Sequence, residues 1–247
     1  MSILVIGESC HDWYVYGSVK RLAPEAPVPV LQPSLERSMG GMAMNVYKNL
    51  MSLGSRCDIL TNPNWEGIIK RRYIDERTNQ MFLRVDIGDQ GYGHIDWSNI
   101  HWDDYQLIVI SDYDKGYLSA EDIGTICQAH PKVMLDTKKI LGPWALQSLY
   151  IKINHLEYAA TRHSITQALE HKLIITLGSE GCEHQGIRYP VPTVDVKDTC
   201  GAGDTFIAAM AHWYNKGNAI ESCISFANEC ATQVIQKRGT SVVSRAS

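Results

Sequence analysis

Asp198-Thr199-Cys200-Gly201-Ala202-Gly203-Asp204-Thr205-Phe206 opens the run Ile207-Ala208-Ala209-Met210-Ala211-His212-Trp213-Tyr214, and its reading decides the rest of the chain. Phe206, Met210 and Trp213 share one helical face, with Ile207, Ala211 and Tyr214 beside them, which predicts a buried helix starting near Gly203. The first turn of a helix carries unpaired N–H groups, and glycines just before it let backbone approach a ligand closely. Such a start attracts phosphate oxygens through its N–H groups and its dipole. Asp204 stands at the same place, although a carboxylate repels the anion the turn invites. Two readings are open for it: a helix cap favoured by the dipole, or a base accepting a hydroxyl proton while the amides hold a phosphoryl group.

Working outward, Ile3–Gly7 reads as a buried first strand that ends in glycine, followed by Glu8, Ser9 and Asp12 where open α/β sheets place ligands. Trp13–Val19 and Val28–Gln32 alternate around a proline-rich turn and predict strands outside the main sheet, either an accessory flap or an ordinary surface hairpin. Gly40-Gly41 precedes a helix over Met42–Leu53, with Asn45 in its first turns. Arg56–Thr61 reads as a strand, Asn62–Asn79 as room for a short helix only, and Met81–Ile87 as a second flap strand lining a pocket with Arg84. From Leu107 strands and helices alternate, as in a parallel sheet with crossovers. Strands are expected at Leu107–Ser111, Lys132–Asp136, Ile151–Ile153 and Leu173–Leu177. Ser119 caps a helix to about Ala129, Pro143–Leu149 reads as a short helix, and a last helix runs from about Asn218 to Lys237. Asp12, Asp112, Asn154 and Thr176 then collect at strand ends, the expected rim of a site.

Composition excludes several classes. At 247 residues with 45% hydrophobic content the chain suits one large α/β domain, and a net charge of -4 gives no reason to expect nucleic acid or an anionic membrane as partner. Seven scattered cysteines without a Cys-x-x-Cys pair suggest free thiols in a reducing compartment, and no zinc spacing occurs. Ile3–Ile6 is too short an apolar run for a signal peptide or membrane span, which makes a cytoplasmic location the expectation. A dinucleotide loop is poorly supported, since Phe206 stands where a third glycine belongs, and no Gly-x-x-x-x-Gly-Lys-Ser/Thr is present.

Gly40-Gly41-x-x-x-Asn45, Asn154-x-x-Glu157, Thr176-Leu-Gly-Ser-x-Gly181 and Asp198-Thr-x-Gly-Ala-Gly-Asp204 occur together, in this order, with Phe226-Ala227-Asn228 and Lys237-Arg238-Gly239 behind them. In that set the chain resembles the ribokinase-like (PfkB) sugar kinases over nearly its whole length. Arg21–Val30, Phe82–Asp86 and Ser111–Gly116 are most similar to the kinase domain that acts on heptose 7-phosphate. The resemblance implies a single ribokinase-like domain over residues 1–247: a three-layer α/β/α sandwich with a mostly parallel sheet and a small lid, its strands at about 13–32 and 81–87. It implies ATP-dependent phosphoryl transfer to a sugar or sugar-phosphate hydroxyl, with Asp204 as base and Gly201, Ala202 and Gly203 as the anion hole. Asp12, Gly40, Gly41 and Asn45 would contact sugar hydroxyls, with Arg84, Asp112 and Lys115 as further substrate residues. Asn154 and Glu157 would organise Mg2+ on the ATP phosphates, while Thr176, Gly178, Gly181 and Asn228 lie along the nucleotide; the family also allows a potassium-type ion near Asp198. A homodimer through the lid is expected, because apolar strands outside a core need cover. Between Thr61 and Met81 the chain is shorter than typical members, beside the sugar pocket. A nucleoside or fructose-phosphate kinase and a non-catalytic binding relative are the competing functions.

Overall fold

The computed structural model describes residues 2–243. Its main sheet grows from β1 (Ser2–Gly7), whose successive side chains point to opposite faces. Ile3 and Val5 enter one core with helices α1 (Ala43–Ser52), α5 (Ala202–Asn215) and α6 (Ile220–Val234), whereas Leu4 and Ile6 enter a second core with α2 (Ala120–Ala129). A continuous apolar strand covered on both faces makes three layers. Parallel pairing joins β1 to β4 (Arg56–Leu60) on one side and β7 (Leu107–Asp112) on the other. It continues through β8 (Val133–Thr137) and β9 (Tyr150–Asn154) to β10 (Leu173–Thr176). The antiparallel hairpin β11 (Cys182–His184) and β12 (Ile187–Tyr189) closes that edge. Two short helices, α3 (His155–Thr161) and α4 (Gln167–Glu170), connect β9 to β10. This is the three-layer α/β/α sandwich with a mostly parallel sheet expected from the sequence.

After Glu8 the chain leaves the sheet as β2 (Ser9–Leu22), which pairs with β3 (Pro29–Met42) in a long hairpin. Two further strands complete this four-stranded lid: β5 (Ile69–Asp75), parallel to β2, and β6 (Met81–Ile87), antiparallel to β5. The lid is therefore larger than the strands at 13–32 and 81–87 anticipated. Residues 62–79 hold only a single helical turn at Trp65–Gly67, and Ile69–Asp75 is a strand instead of helix. Its Lys70 and Arg72 are inward charges that find carboxylates, so no apolar alternation marks it. Pro143–Leu149 likewise forms one turn, Pro143–Ala145, and not a longer helix. The Ser119 cap is as read, with Asp122 completing a capping box. Among the described residues no helix is long and apolar enough to cross a membrane.

Candidate active site

The glycine turn before α5 is shaped for an anion. Gly201 caps the helix in the left-handed region at φ 80°, a conformation that favours glycine. A methyl group there would also stand 2.6 Å from Asn45 Nδ2 and 2.9 Å from Thr240 Cγ2. Asp198 fastens the turn, its Oδ1 accepting from the Cys200 N–H (2.8 Å) and its Oδ2 from the Gly239 N–H (3.2 Å). Beside the turn lies an ammonium group: a methyl on Gly203 would be 2.7 Å from Lys152 Nζ. Lys152 is buried on β9 and pairs with Asp136 of β8 at 2.9 Å. Burial alone would lower its pKa; the Asp136 charge and hydrogen bond outweigh that and leave it raised, hence a cation.

Asp204, on the first turn of α5, is 3% exposed. Tyr113 Oη donates to its Oδ1 at 2.6 Å and Asn45 Nδ2 donates to its Oδ2 at 3.0 Å. Burial pushes its pKa up to about 6, against the two hydrogen bonds, which favour the ionised form; Asp136 adds to the rise and Lys152 opposes it. An unperturbed Asp titrates near roughly 3.9, so the carboxyl sits well above the value its residue type suggests. Asn45 is brought here by α1, which follows Gly40-Gly41 and starts after Met42 at φ 60°.

On the lid side Asp12 accepts from Arg72 NH1 at 2.6 Å and, more loosely, from Thr240 Oγ1 at 3.4 Å. A methyl on Gly41 would stand 2.2 Å from Asp12 Oδ2, so this glycine is what admits the carboxylate. Thr240 also shares a 2.6 Å hydrogen bond with Tyr14 Oη, and Val243 N–H donates to Asn49 Oδ1 at 3.0 Å, so residues 239–243 strap α1 to the lid. Arg84 stands opposite Arg72 in the β5–β6 pairing and makes two 2.7 Å bonds to Asp86. Lys115 reaches Asp89 Oδ2 (2.8 Å), whose Oδ1 holds Lys70 of β5 (2.7 Å). Asp112 is different: its side chain is fully enclosed, bonded to Thr137 and Lys139. It holds strand ends together, and the substrate contact expected of it is not open to it.

A cavity of about 340 Å³ adjoins the start of α5. Ala202, Gly203 and Phe206 line it from α5, and Thr176, Gly178, Gly181 and Asn228 are brought together in its wall. Val191, Pro192, Val194, Val196, Ala231 and Ile235 give it an apolar wall, with the Ser179, Thr193, Thr199 and Thr232 side chains completing the lining, and the volume is at the lower end of small-molecule sites, about 300–1,000 Å³. Gly181 is required locally, since φ is +84° and a methyl would meet Tyr189 O at 2.0 Å. Asn228 is oriented by its 2.9 Å bond to the same carbonyl.

Asn154 and Glu157 form a capping box at the start of α3: Asn154 Oδ1 accepts from the Leu156 and Glu157 N–H groups, and Glu157 Oε2 accepts from the Asn154 N–H. Burial raises Glu157, with Asp136 adding to the rise. The pair is thus first a helix start, with the second Glu157 oxygen and the nearby Asp136 as further donors; two carboxylates suit a hydrated magnesium that takes its other ligands from water and phosphate. Asp198 uses both carboxylate oxygens on backbone N–H groups, so its first role is to fasten the turn. Sequence reasoning missed Tyr113 and Lys152 as site residues. Lys152 carried a signal, a charged residue inside an otherwise apolar strand.

Residues 143–246 match the family described as pfkB family carbohydrate kinase. The bifunctional protein HldE of Salmonella arizonae is 27% identical over 298 aligned positions, covering 98% of this chain and 61% of that protein. The chain thus spans about 61% of the length of this curated relative. Those 298 positions exceed the 247 residues present, so the relative carries segments within the aligned span that this chain lacks. Among solved structures, a nucleoside kinase of Methanocaldococcus jannaschii, an archaeal member of the ribokinase family, superposes with a TM-score of 0.72 at 16% identity, covering 98% of this chain and 94% of that one. An Arabidopsis thaliana ribokinase complexed with ribose and ATP gives 0.67 at 18% identity, covering 96% and 93%.

Proposed function

We propose, on the premise that this chain belongs with the pfkB carbohydrate kinases its residues 143–246 match, that it moves the γ-phosphoryl group of ATP to a hydroxyl of a sugar phosphate, heptose 7-phosphate (C1 hydroxyl) being the first candidate. The observation that carries this reading is the junction at α5: a carboxylate and a turn of main-chain donors share one helix entrance, whose Ala202 and Gly203 line the adjoining cavity of nucleoside size. Phosphoryl transfer is mostly positioning plus neutralisation of charge on the moving group. In this reading the Gly201 and Gly203 amides and the Lys152 ammonium supply that neutralisation, the Ala202 N–H being spent on the Thr199 carbonyl (3.2 Å), and Asp204 orients the acceptor hydroxyl and takes its proton. Asn154 and Glu157, with Asp136, would hold Mg2+, which when bound offsets charge on the ATP phosphates. Asp198 anchors the turn through its two N–H bonds, and we assign no step to a monovalent ion.

Support for an anionic sugar comes from Lys70, Arg72, Arg84 and Lys115, cations of the lid and its border now matched by Asp12, Asp86 and Asp89. Asp12, Gly40, Gly41 and Asn45 are the groups for its hydroxyls. The reading includes a cytoplasmic setting, supported by seven unpaired cysteines. It also includes a homodimer through the lid, where Leu22, Leu35, Met81, Leu83 and Ile87 are exposed. The test is a coupled ADP-release screen over heptose 7-phosphate, fructose phosphates, ribose and nucleosides. We expect turnover with a sugar phosphate that Asp204→Asn abolishes while ATP binding persists. Turnover that survives this substitution would reduce Asp204 to a helix cap.

A further inference from the structure

Asp204 holds two hydrogen bonds, and the shorter comes from a side chain to which the reaction has so far assigned nothing. Tyr113 follows β7, and its placement is fixed before its hydroxyl is considered. Glu8, fully buried, accepts the Tyr113 N–H on one oxygen (2.8 Å) and the Lys115 N–H on the other (3.0 Å), clamping the turn. Lys138 Nζ lies 4.0 Å from the Tyr113 ring centroid and holds the ring by a cation–π contact. With backbone and ring fixed, the hydroxyl lies 2.6 Å from Asp204 Oδ1.

We propose that Tyr113 is a positioning residue for the reaction: its phenol and the Asn45 amide, one on each oxygen, fix the Asp204 carboxylate in one orientation and keep it ionised. A carboxylate accepts about four hydrogen bonds, so two fixed donors leave lone pairs for the acceptor hydroxyl. Donors to a carboxylate favour its charged form, which a base must have before it takes a proton. The other groups that face Asp204 are Asp136 of β8, which works against ionisation, and Lys152 of β9, which works for it. From the lid, Cys10 and the Asp12–Arg72 pair complete its surroundings. Burial dominates all of these, and without the phenol the balance moves toward the neutral acid. The inference rests on the kinase reading for its purpose but not for its geometry.

Tyr113→Phe keeps the ring and the Lys138 stack and removes only the hydroxyl. The decisive measurement needs no sugar: the 13C carboxyl titration of Asp204 in aspartate-labelled protein, assigned by its disappearance in Asp204→Asn. We expect the midpoint to rise by about one pH unit, a tenfold change in proton affinity. Replacing Tyr113 by 3,5-difluorotyrosine, a stronger donor of nearly the same shape, should move the midpoint down, and covers the case in which Tyr113→Phe folds poorly. In the ADP-release assay with heptose 7-phosphate, Tyr113→Phe should lower kcat by a larger factor at pH 6 than at pH 8, shift the acid limb upward and leave the KM for ATP unchanged. An Asp204 midpoint indifferent to both substitutions overturns the proposal. So does a Tyr113→Phe enzyme that is faster with a lower sugar KM, since Tyr113 would then be a plug over the base. Absence of ADP release with every sugar tested would sink the kinase reading alone; the titration still decides the role of Tyr113.

Discussion

Replacing Asp204 by Asn should stabilise the protein at neutral pH while removing its turnover. The carboxyl is lifted from 3.8 to about 6 in the folded protein, mainly by burial. At 1.36 kcal/mol per pH unit, that rise corresponds to about 3 kcal/mol of folding free energy withheld once the group is ionised. The sign follows from proton binding: the folded state holds the proton more tightly than the unfolded chain. The stability contribution is therefore complete below pH 3.8 and is lost as the pH rises through about 6. Asn stays neutral and can keep both contacts, its oxygen accepting from Asn45 and its NH2 donating to a reversed Tyr113 hydroxyl. Loss of the charge at the helix start returns up to about 1 kcal/mol, which leaves about 2 kcal/mol. For a chain of this size that raises Tm by about 4–8 °C at pH 7. Thermal melts of both proteins from pH 4 to pH 8 measure it: the Tm difference should be small or negative at pH 4 and grow through pH 6. A difference that does not change with pH, or that shrinks as the pH rises, would refute the argument that Asp204 is held in the fold at a cost.

Other substitutions test the neighbouring contacts. Gly41→Ala places a methyl 2.2 Å from Asp12 Oδ2 and must push that carboxylate off Arg72; steady-state kinetics should show a raised KM for the sugar with the KM for ATP little changed. Gly201→Ala combines φ +80° with a 2.6 Å clash against Asn45 Nδ2, and should lower stability by at least about 1–2 kcal/mol in urea titrations and lose most turnover. With Asp204 titrating near 6, kcat should fall about tenfold between pH 7 and pH 5, read from a pH–rate profile. The proposed homodimer predicts that Leu83→Asp on the exposed lid leaves only monomer in sedimentation velocity, with the melt of the core unaltered.

What the sequence made legible follows the reach of local physics. α5 was readable because its apolar face has a 3.6-residue period and its glycines stand where backbone needs positive φ. Ser119 was readable because a capping box is completed within four residues. β5 was not, because its inward positions are Lys70 and Arg72, whose partners Asp89 and Asp12 lie outside the strand; charge satisfied at long range erases the alternation that announces a strand. Asp112 looked like a rim residue by its place at a strand end, and only the neighbouring strand shows that Thr137 and Lys139 enclose it. Tyr113 was legible as part of a strand-end motif but not as a partner of Asp204, which is 91 positions away. Asn154 and Glu157 were legible as a strand-end amide and a helical carboxylate or as magnesium ligands, but their reciprocal capping of α3 was not recognised.

The strap over residues 239–243 has a consequence for how the molecule comes into being. Thr240 meets Asp12 across 228 positions of chain, and Val243 meets Asn49 across 194. A ribosome releases the lid hairpin first and this strap far later. The lid side of the cleft consequently stays unfinished while nearly all of the sheet can already have collapsed. A nascent or prematurely terminated product lacking those few residues would leave Asp12 with Arg72 as its remaining side-chain partner and Tyr14 with a buried, orphaned phenol. Closure of the pocket in this fold waits on residues 239–243, long after the strands they lock have been made.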